Sequence, residues 1–190
     1  DLSRGLGDVY KRQILEAEDL INNEPFAVLL PDDLFFSEKS CLHQLLDIYV
    51  ETKSSVIAVN KIDKDNIHKY GVIKPGNDDL KKILIDDIVE KPKAEEAPSD
   101  IAVCGRYIFN PSIFEYLKKV TFDNSGEIQL TDGIKNMLES EDVFACLYDG
   151  EKFDCGSKKG FVHATISLAL RDPSISCLLY TSPSPRDKSS

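Results

Sequence analysis

Four short strings hold the residues whose types could do chemistry: Leu29-Leu30-Pro31-Asp32-Asp33, Val89-Glu90-Lys91-Pro92, Gly126-Glu127-Ile128-Gln129-Leu130-Thr131-Asp132 and Phe153-Asp154-Cys155-Gly156. Each falls at the end of a predicted strand or the start of a predicted helix, where open α/β folds place their ligands. Two aspartates at strand ends suit a hard divalent cation. A neighbouring Glu and Lys suit a substrate that carries both hydroxyls and a phosphate. Any one string alone is weak, because Pro-Asp and Lys-Pro are ordinary loop punctuation.

The elements that must position these residues can be read from periodicity. Ile14 to Ile21 has helical spacing, Glu24-Pro25 breaks it, and the apolar run Phe26 to Leu30 predicts a buried strand ending at Pro31-Asp32. Cys41 to Glu51 predicts a helix with Leu42, Leu45, Leu46, Tyr49 and Val50 on one face. Ser55 to Asn60, Ile83 to Glu90, Ile101 to Phe109 and Val143 to Leu147 read as strands, and Tyr70 to Ile73 as a short one before a turn at Pro75 to Asp78. Ser112 to Lys119, Glu127 to Leu138 and Lys158 to Arg171 have helical spacing. Strands alternating with helices argue an α/β domain, with the two short runs around residue 75 forming an antiparallel excursion from a mixed sheet.

Composition narrows the partners. The formal charge is -10, and no Lys/Arg block is present, which argues against nucleic acid or an anionic membrane surface. No apolar run approaches the ~18 residues that a membrane span needs. Cys41, Cys104, Cys146 and Cys155 show no metal-ligand spacing; Cys104 and Cys146 sit inside apolar strand patterns and read as buried thiols, and a reducing cytoplasm fits. His43, His68 and His163 are scattered and read as surface or packing residues.

The two ends call for a separate reading. Cys177 to Asp187 can be encoded by DNA whose reverse complement, in a shifted frame, translates as Ser3 to Gln13, and that DNA resembles a transposase adaptor used in library preparation. Residues 1–13 and 176–190 are therefore expected to be adaptor sequence, with 14–175 as the biological part of the domain. The adaptor flanks carry a net +2, so that part has a charge of about -12. Gly5-Leu6-Gly7, which looks like part of a phosphate-cradling loop, is explained by the adaptor. The adaptor segments are expected to pack poorly.

In this order the four strings resemble one family, the bacterial UTP–glucose-1-phosphate uridylyltransferases, along nearly all of Ile14 to Ile175. The resemblance implies an α/β fold with a mixed, mainly parallel Rossmann-like sheet flanked by helices, truncated on its N-terminal side. It implies a cytoplasmic, homo-oligomeric enzyme that joins UTP and glucose 1-phosphate into UDP-glucose and pyrophosphate with the help of Mg²⁺. Asp32 and Asp154 are then the metal ligands. Lys91 is the point charge on the sugar phosphate and, with Asp32, catalytic. Glu90 takes the glucose hydroxyls, Gly71 touches the sugar through its backbone, and Glu127 and Gln129 offer polar contacts. Asp33 is left a capping or supporting role, and Arg106 reads as an ordinary strand residue.

Plainer readings stand beside these: a capping Asp32, a turn Asp154, an exposed Glu90–Lys91 edge pair, and glycine at 71 for strand-edge freedom alone. The family's glycine-rich G-x-G-T-R loop and its uracil-reading residues have no counterpart here, so the 190-residue chain is expected to be inactive by itself. Another sugar-1-phosphate nucleotidylyltransferase (dTDP-, ADP- or GDP-sugar) is the alternative within the class. A non-catalytic sugar-nucleotide sensor of the same fold is the alternative outside it.

Overall fold

A computed structural model of the chain describes residues 14–120 and 129–181. Glu127, and with it Gly126 and Ile128, lies outside the described residues. The chain divides into two compact units, one formed by the segment up to Leu30 with Ser37–Gly150, the other by Pro31–Phe36 with the segment from Glu151 onward.

The first unit holds a six-stranded sheet. Its strands are β1 (Phe26–Leu29), β3 (Ser55–Lys61), β4 (Gly71–Pro75), β5 (Ile83–Glu90), β6 (Ile101–Phe109) and β7 (Val143–Leu147), in the order β1-β6-β3-β7-β5-β4. The sheet is mixed, as expected. Adjacent parallel pairing is confined to β3–β7, which corrects the mainly parallel part of the expectation for the described residues. The reason is connectivity. β1 and β3 run the same way, but β6 inserts between them in the opposite direction. β4 and β5 are joined by the seven-residue loop 76–82, with a Gly76 N–H to Leu84 carbonyl bond across its base, a connection too short for parallel neighbours.

Helices α1 (Glu18–Ile21), α2 (Cys41–Thr52), α3 (Ile113–Lys119) and α4 (Leu130–Leu138) belong to this unit, with a 3₁₀ turn at Lys64–Lys69. α2 begins at Ser40, whose hydroxyl accepts the His43 N–H, and ends at Lys53 in the left-handed region. Its buried stripe is Cys41, Leu45 and Ile48 rather than the face predicted around Leu46 and Val50, which are exposed. The core gathers Ile57, Val59, Ile73, Ile88, Phe109, Leu117, Ile134 and Met137 from sheet and helices alike. β1 differs from the buried strand expected of an apolar run. Phe26 and Val28 pack on the core while Ala27 and Leu29, on the opposite face, are exposed; among the described residues the strand pairs with β6 alone.

The second unit pairs β2 (Asp33–Phe36) with β8 (Glu151–Asp154) as an antiparallel ribbon and adds α5 (Lys158–Ala169) and α6 (Pro173–Thr181). α5 packs on β8 and is capped by Ser157, whose hydroxyl accepts the Gly160 N–H at 3.0 Å. α6 runs across the start of the stretch read as adaptor.

Candidate active site

Glu90 is the last residue of β5 and lies directly opposite Gly71, the first of β4. Consecutive residues in a strand point to opposite faces, which would keep Glu90 and Lys91 apart. Lys91 escapes that rule by leaving the strand conformation: its φ is +44, in the left-handed region that a lysine rarely adopts. The buried Pro92 follows, and the Lys91 N–H donates to the Tyr70 carbonyl at 3.1 Å, so both sides of the turn are held. The outcome is an ammonium 3.7 Å from Glu90 Oε1, with the Lys91 side chain half exposed and the Glu90 side chain largely covered.

The other carboxylate oxygen is also engaged. Thr131 Oγ1 donates to Glu90 Oε2 at 2.6 Å. Thr131 stands in the first turn of α4, two residues after Gln129, which is the N-terminal flanking residue of that helix. Gly133 lets α4 come close to α3: a Cβ there would lie 2.4 Å from Leu117 Cδ2. Lys135, 3.0 Å from Asp87, ties the same helix to β5. Burial works to raise the Asp87 carboxyl, but bonds from the Lys135 ammonium and the Ile88 N–H outweigh it and hold it below its ordinary value. Gly71, Glu90, Lys91 and Thr131 thus form one cluster, with Gln129 beside it in the chain.

In the second unit the two predicted aspartates converge. Asp32 precedes β2 and Asp154 ends β8. The Cys155 N–H donates to the Asp32 carbonyl at 2.7 Å, which laces the Asp154-Cys155-Gly156 turn onto the β2 entry. The Gly156 N–H donates to Asp154 Oδ1 at 2.9 Å. A Cβ on Gly156 would lie 3.2 Å from Asp154 Oδ1 and 3.3 Å from Asp32 Oδ2, so both carboxylates crowd the same point. Gly160 sets the depth of α5 beneath this turn, for a Cβ there would meet the Asp154 carbonyl oxygen at 1.7 Å.

Asp32 Oδ1 is buried with no hydrogen-bond partner among the described residues. A buried carboxylate oxygen without a donor is costly unless a cation supplies the charge. Two converging carboxylates, one with an orphaned oxygen, fit a hard divalent cation. Among the described residues no group of three or more His, Cys, Asp or Glu side chains gathers around a common point. A cation here would therefore draw its other ligands from water and phosphate oxygens, which is how Mg²⁺ is commonly held.

The profile of the nucleotidyl transferase family matches residues 12–169. The chain belongs to the nucleotidyl transferase family. The chain is 43% identical over 173 residues to a UTP–glucose-1-phosphate uridylyltransferase of Staphylococcus epidermidis (strain ATCC 35984), covering 91% of this chain and 59% of that protein. It is 43% identical over 176 residues to the enzyme of the same name from Mycoplasma genitalium, covering 90% and 58%. Among solved structures it resembles a UDP-glucose pyrophosphorylase complexed with UDP-glucose, with a TM-score of 0.81 at 36% identity over 85% of this chain and 62% of that one. A UTP-bound enzyme from Acinetobacter baumannii gives a TM-score of 0.79 at 29% identity, covering 90% and 60%. The chain thus spans about three-fifths of the length of the relatives it matches.

Sequence reasoning missed Lys152 and the bond from Thr131 to Glu90. Lys152 stands two residues before Asp154 on the same side of β8 and reaches Asp33 Oδ1 at 2.9 Å, with both side chains nearly buried. The period of two along a strand was the available signal, but β8 starts only at Glu151 and is too short to announce itself. Arg106 is the strand residue it was expected to be: its guanidinium donates to the Leu30 and Gly105 carbonyls at 2.6 and 2.8 Å and ties the end of β1 to β6. Cys41, Cys104 and Cys146 are buried, and burial pushes the Cys146 thiol up to about 11. Among the described residues no helix is long and apolar enough to cross a membrane.

Proposed function

We propose that this nucleotidyl transferase, at the length of its relatives, is a cytoplasmic, homo-oligomeric UTP–glucose-1-phosphate uridylyltransferase. Residues 14–175 carry the sugar-phosphate and metal-binding share of the site, and the adaptor-like flanks contribute none of it. A phosphate oxygen of glucose 1-phosphate attacks the α-phosphorus of UTP in line. The bond from that phosphorus to the bridging oxygen breaks, and pyrophosphate leaves with the electron pair. The reaction consumes no protein nucleophile, so Cys155 has no part in it. The protein's work is positioning and charge neutralisation.

Glu90 accepts hydrogen bonds from glucose hydroxyls, and the backbone at Gly71 comes close to the sugar. Lys91 places its ammonium on the sugar phosphate, the oxygen-bearing group whose charge shifts as attack proceeds. Gln129 and Glu127 contribute polar contacts from the segment leading into α4. Asp32 and Asp154 hold Mg²⁺. When bound, that ion supplies Lewis-acid neutralisation of triphosphate charge. The observation that carries the reading is Lys91, a lysine held in left-handed backbone so that its ammonium stays beside Glu90. A structural edge pair has no need of that conformation, whereas a hydroxyl-and-phosphate ligand needs both groups on one side.

The test is synthesis of UDP-glucose by the protein extended to the length of its relatives, with UTP compared against dTTP, ATP and GTP. UTP should be preferred, and Asp32→Ala or Asp154→Ala should lower turnover by on the order of a hundredfold while the melting temperature moves little. Near-wild-type synthesis by either variant at limiting Mg²⁺ would remove that aspartate from the metal.

A further inference from the structure

A carboxylate that reads hydroxyls has to present its oxygens in one plane, yet the terminal torsion of a glutamate is broad and roughly two-fold. Two features around Glu90 narrow it. Thr131 Oγ1 donates to Oε2 at 2.6 Å, a charge-assisted bond that engages one oxygen and leaves Oε1 on the Lys91 side. Gly71 supplies the room for that bond. A Cβ at position 71 would lie 3.1 Å from Glu90 Oε2 and 3.3 Å from Thr131 Oγ1, tight against both partners at once.

Thr131 is itself placed by packing. It rides on α4, whose close approach to α3 depends on Gly133 against the fully buried Leu117, and whose Lys135 reaches Asp87 on the strand that carries Glu90. The helix therefore delivers a hydroxyl to a fixed place across 41 residues of chain. We infer that Thr131 is a positioning residue for sugar recognition, fixing the plane of the Glu90 carboxylate, and that Gly71 serves the site by leaving space for this hydrogen bond. This inference rests on the reading of Glu90 as the acceptor of sugar hydroxyls.

Steady-state kinetics of the protein at the length of its relatives, with each substrate varied in turn, tests it through Thr131→Val, Thr131→Ser and Glu90→Gln. Valine keeps the shape and removes the hydroxyl; serine keeps the hydroxyl. Thr131→Val should raise the KM for glucose 1-phosphate by on the order of tenfold and leave that for UTP within about twofold, while Thr131→Ser stays close to wild type. A wild-type KM for glucose 1-phosphate in Thr131→Val overturns the inference. So does an equal loss in the serine variant, which would mark a packing role for the methyl group. If Thr131→Val does not fold, Thr131→Ser and Thr131→Ala carry the same comparison. Glu90→Gln separates the two levels. If it raises the KM for glucose 1-phosphate and Thr131→Val does not, only the Thr131 assignment fails; if neither raises it, the Glu90 reading itself is wrong.

Discussion

Lys152 Nζ lies 2.9 Å from Asp33 Oδ1, with the two side chains only 12% and 13% exposed. This pair divides the two consecutive aspartates between two tasks. Asp33 has a cation of its own from the protein, whereas Asp32 keeps an oxygen with no donor among the described residues. Removing one member of a nearly buried ion pair costs about 3–5 kcal/mol, while replacing both with apolar groups is often neutral. Lys152→Met should therefore destabilise the chain strongly in urea, and Lys152→Met with Asp33→Leu should recover most of the loss. A single variant as stable as wild type would show that water already reaches the pair.

Lys91 predicts opposite effects on stability and on turnover. A non-glycine residue in the left-handed region carries strain of about 1–2 kcal/mol that glycine does not feel. Lys91→Gly should raise the urea midpoint while sharply lowering UDP-glucose synthesis by the protein at full relative length. A variant that is less stable than wild type would mean that the side chain, and not the ligand site, accounts for the conformation.

Cys146 gives a prediction in pH. Burial raises its thiol from 9.0 to about 11, so the folded chain holds a proton that the unfolded chain has begun to release. Its contribution to stability is complete below the unfolded value and is lost as pH rises through about 11. In native chain at pH 9 the exposed Cys177 should be alkylated by iodoacetamide and Cys146 should not, and Cys146→Ala should flatten the fall of stability between pH 9 and 11. Equal alkylation of the two thiols would contradict the burial argument.

Much of the molecule could be read from the chain because its signals are local. Ile83 to Glu90, Ile101 to Phe109 and Val143 to Leu147 form strands with the bounds that their apolar runs predict, and Glu90-Lys91 before Pro92 marks a strand end. What escaped depends on distant partners. Asp33–Phe36 is four residues without alternation, and it becomes a strand only by pairing with Glu151–Asp154. Phe26–Leu29 is apolar enough to be buried on both faces but has one strand neighbour among the described residues. The left-handed Lys91 had no sequence signal, since such positions ordinarily advertise themselves as Gly, Asn or Asp. The Thr131–Glu90 bond depends on how closely α4 docks, which is a matter of packing at Gly133 rather than of pattern.

One set of kinetics tests Glu90 and Lys91 directly as the sugar and phosphate contacts. In the protein at the length of its relatives, UTP and glucose 1-phosphate are each varied for wild type, Glu90→Gln, Lys91→Ala and Lys91→Arg. Glu90→Gln should raise the KM for glucose 1-phosphate and leave that for UTP nearly unchanged. Lys91→Ala should also cut kcat, because its charge interaction strengthens in the transition state, and arginine should rescue it only in part, a planar fork being a poor substitute for a compact ammonium. Equal losses toward both substrates in Glu90→Gln would contradict the account and make the pair a structural brace.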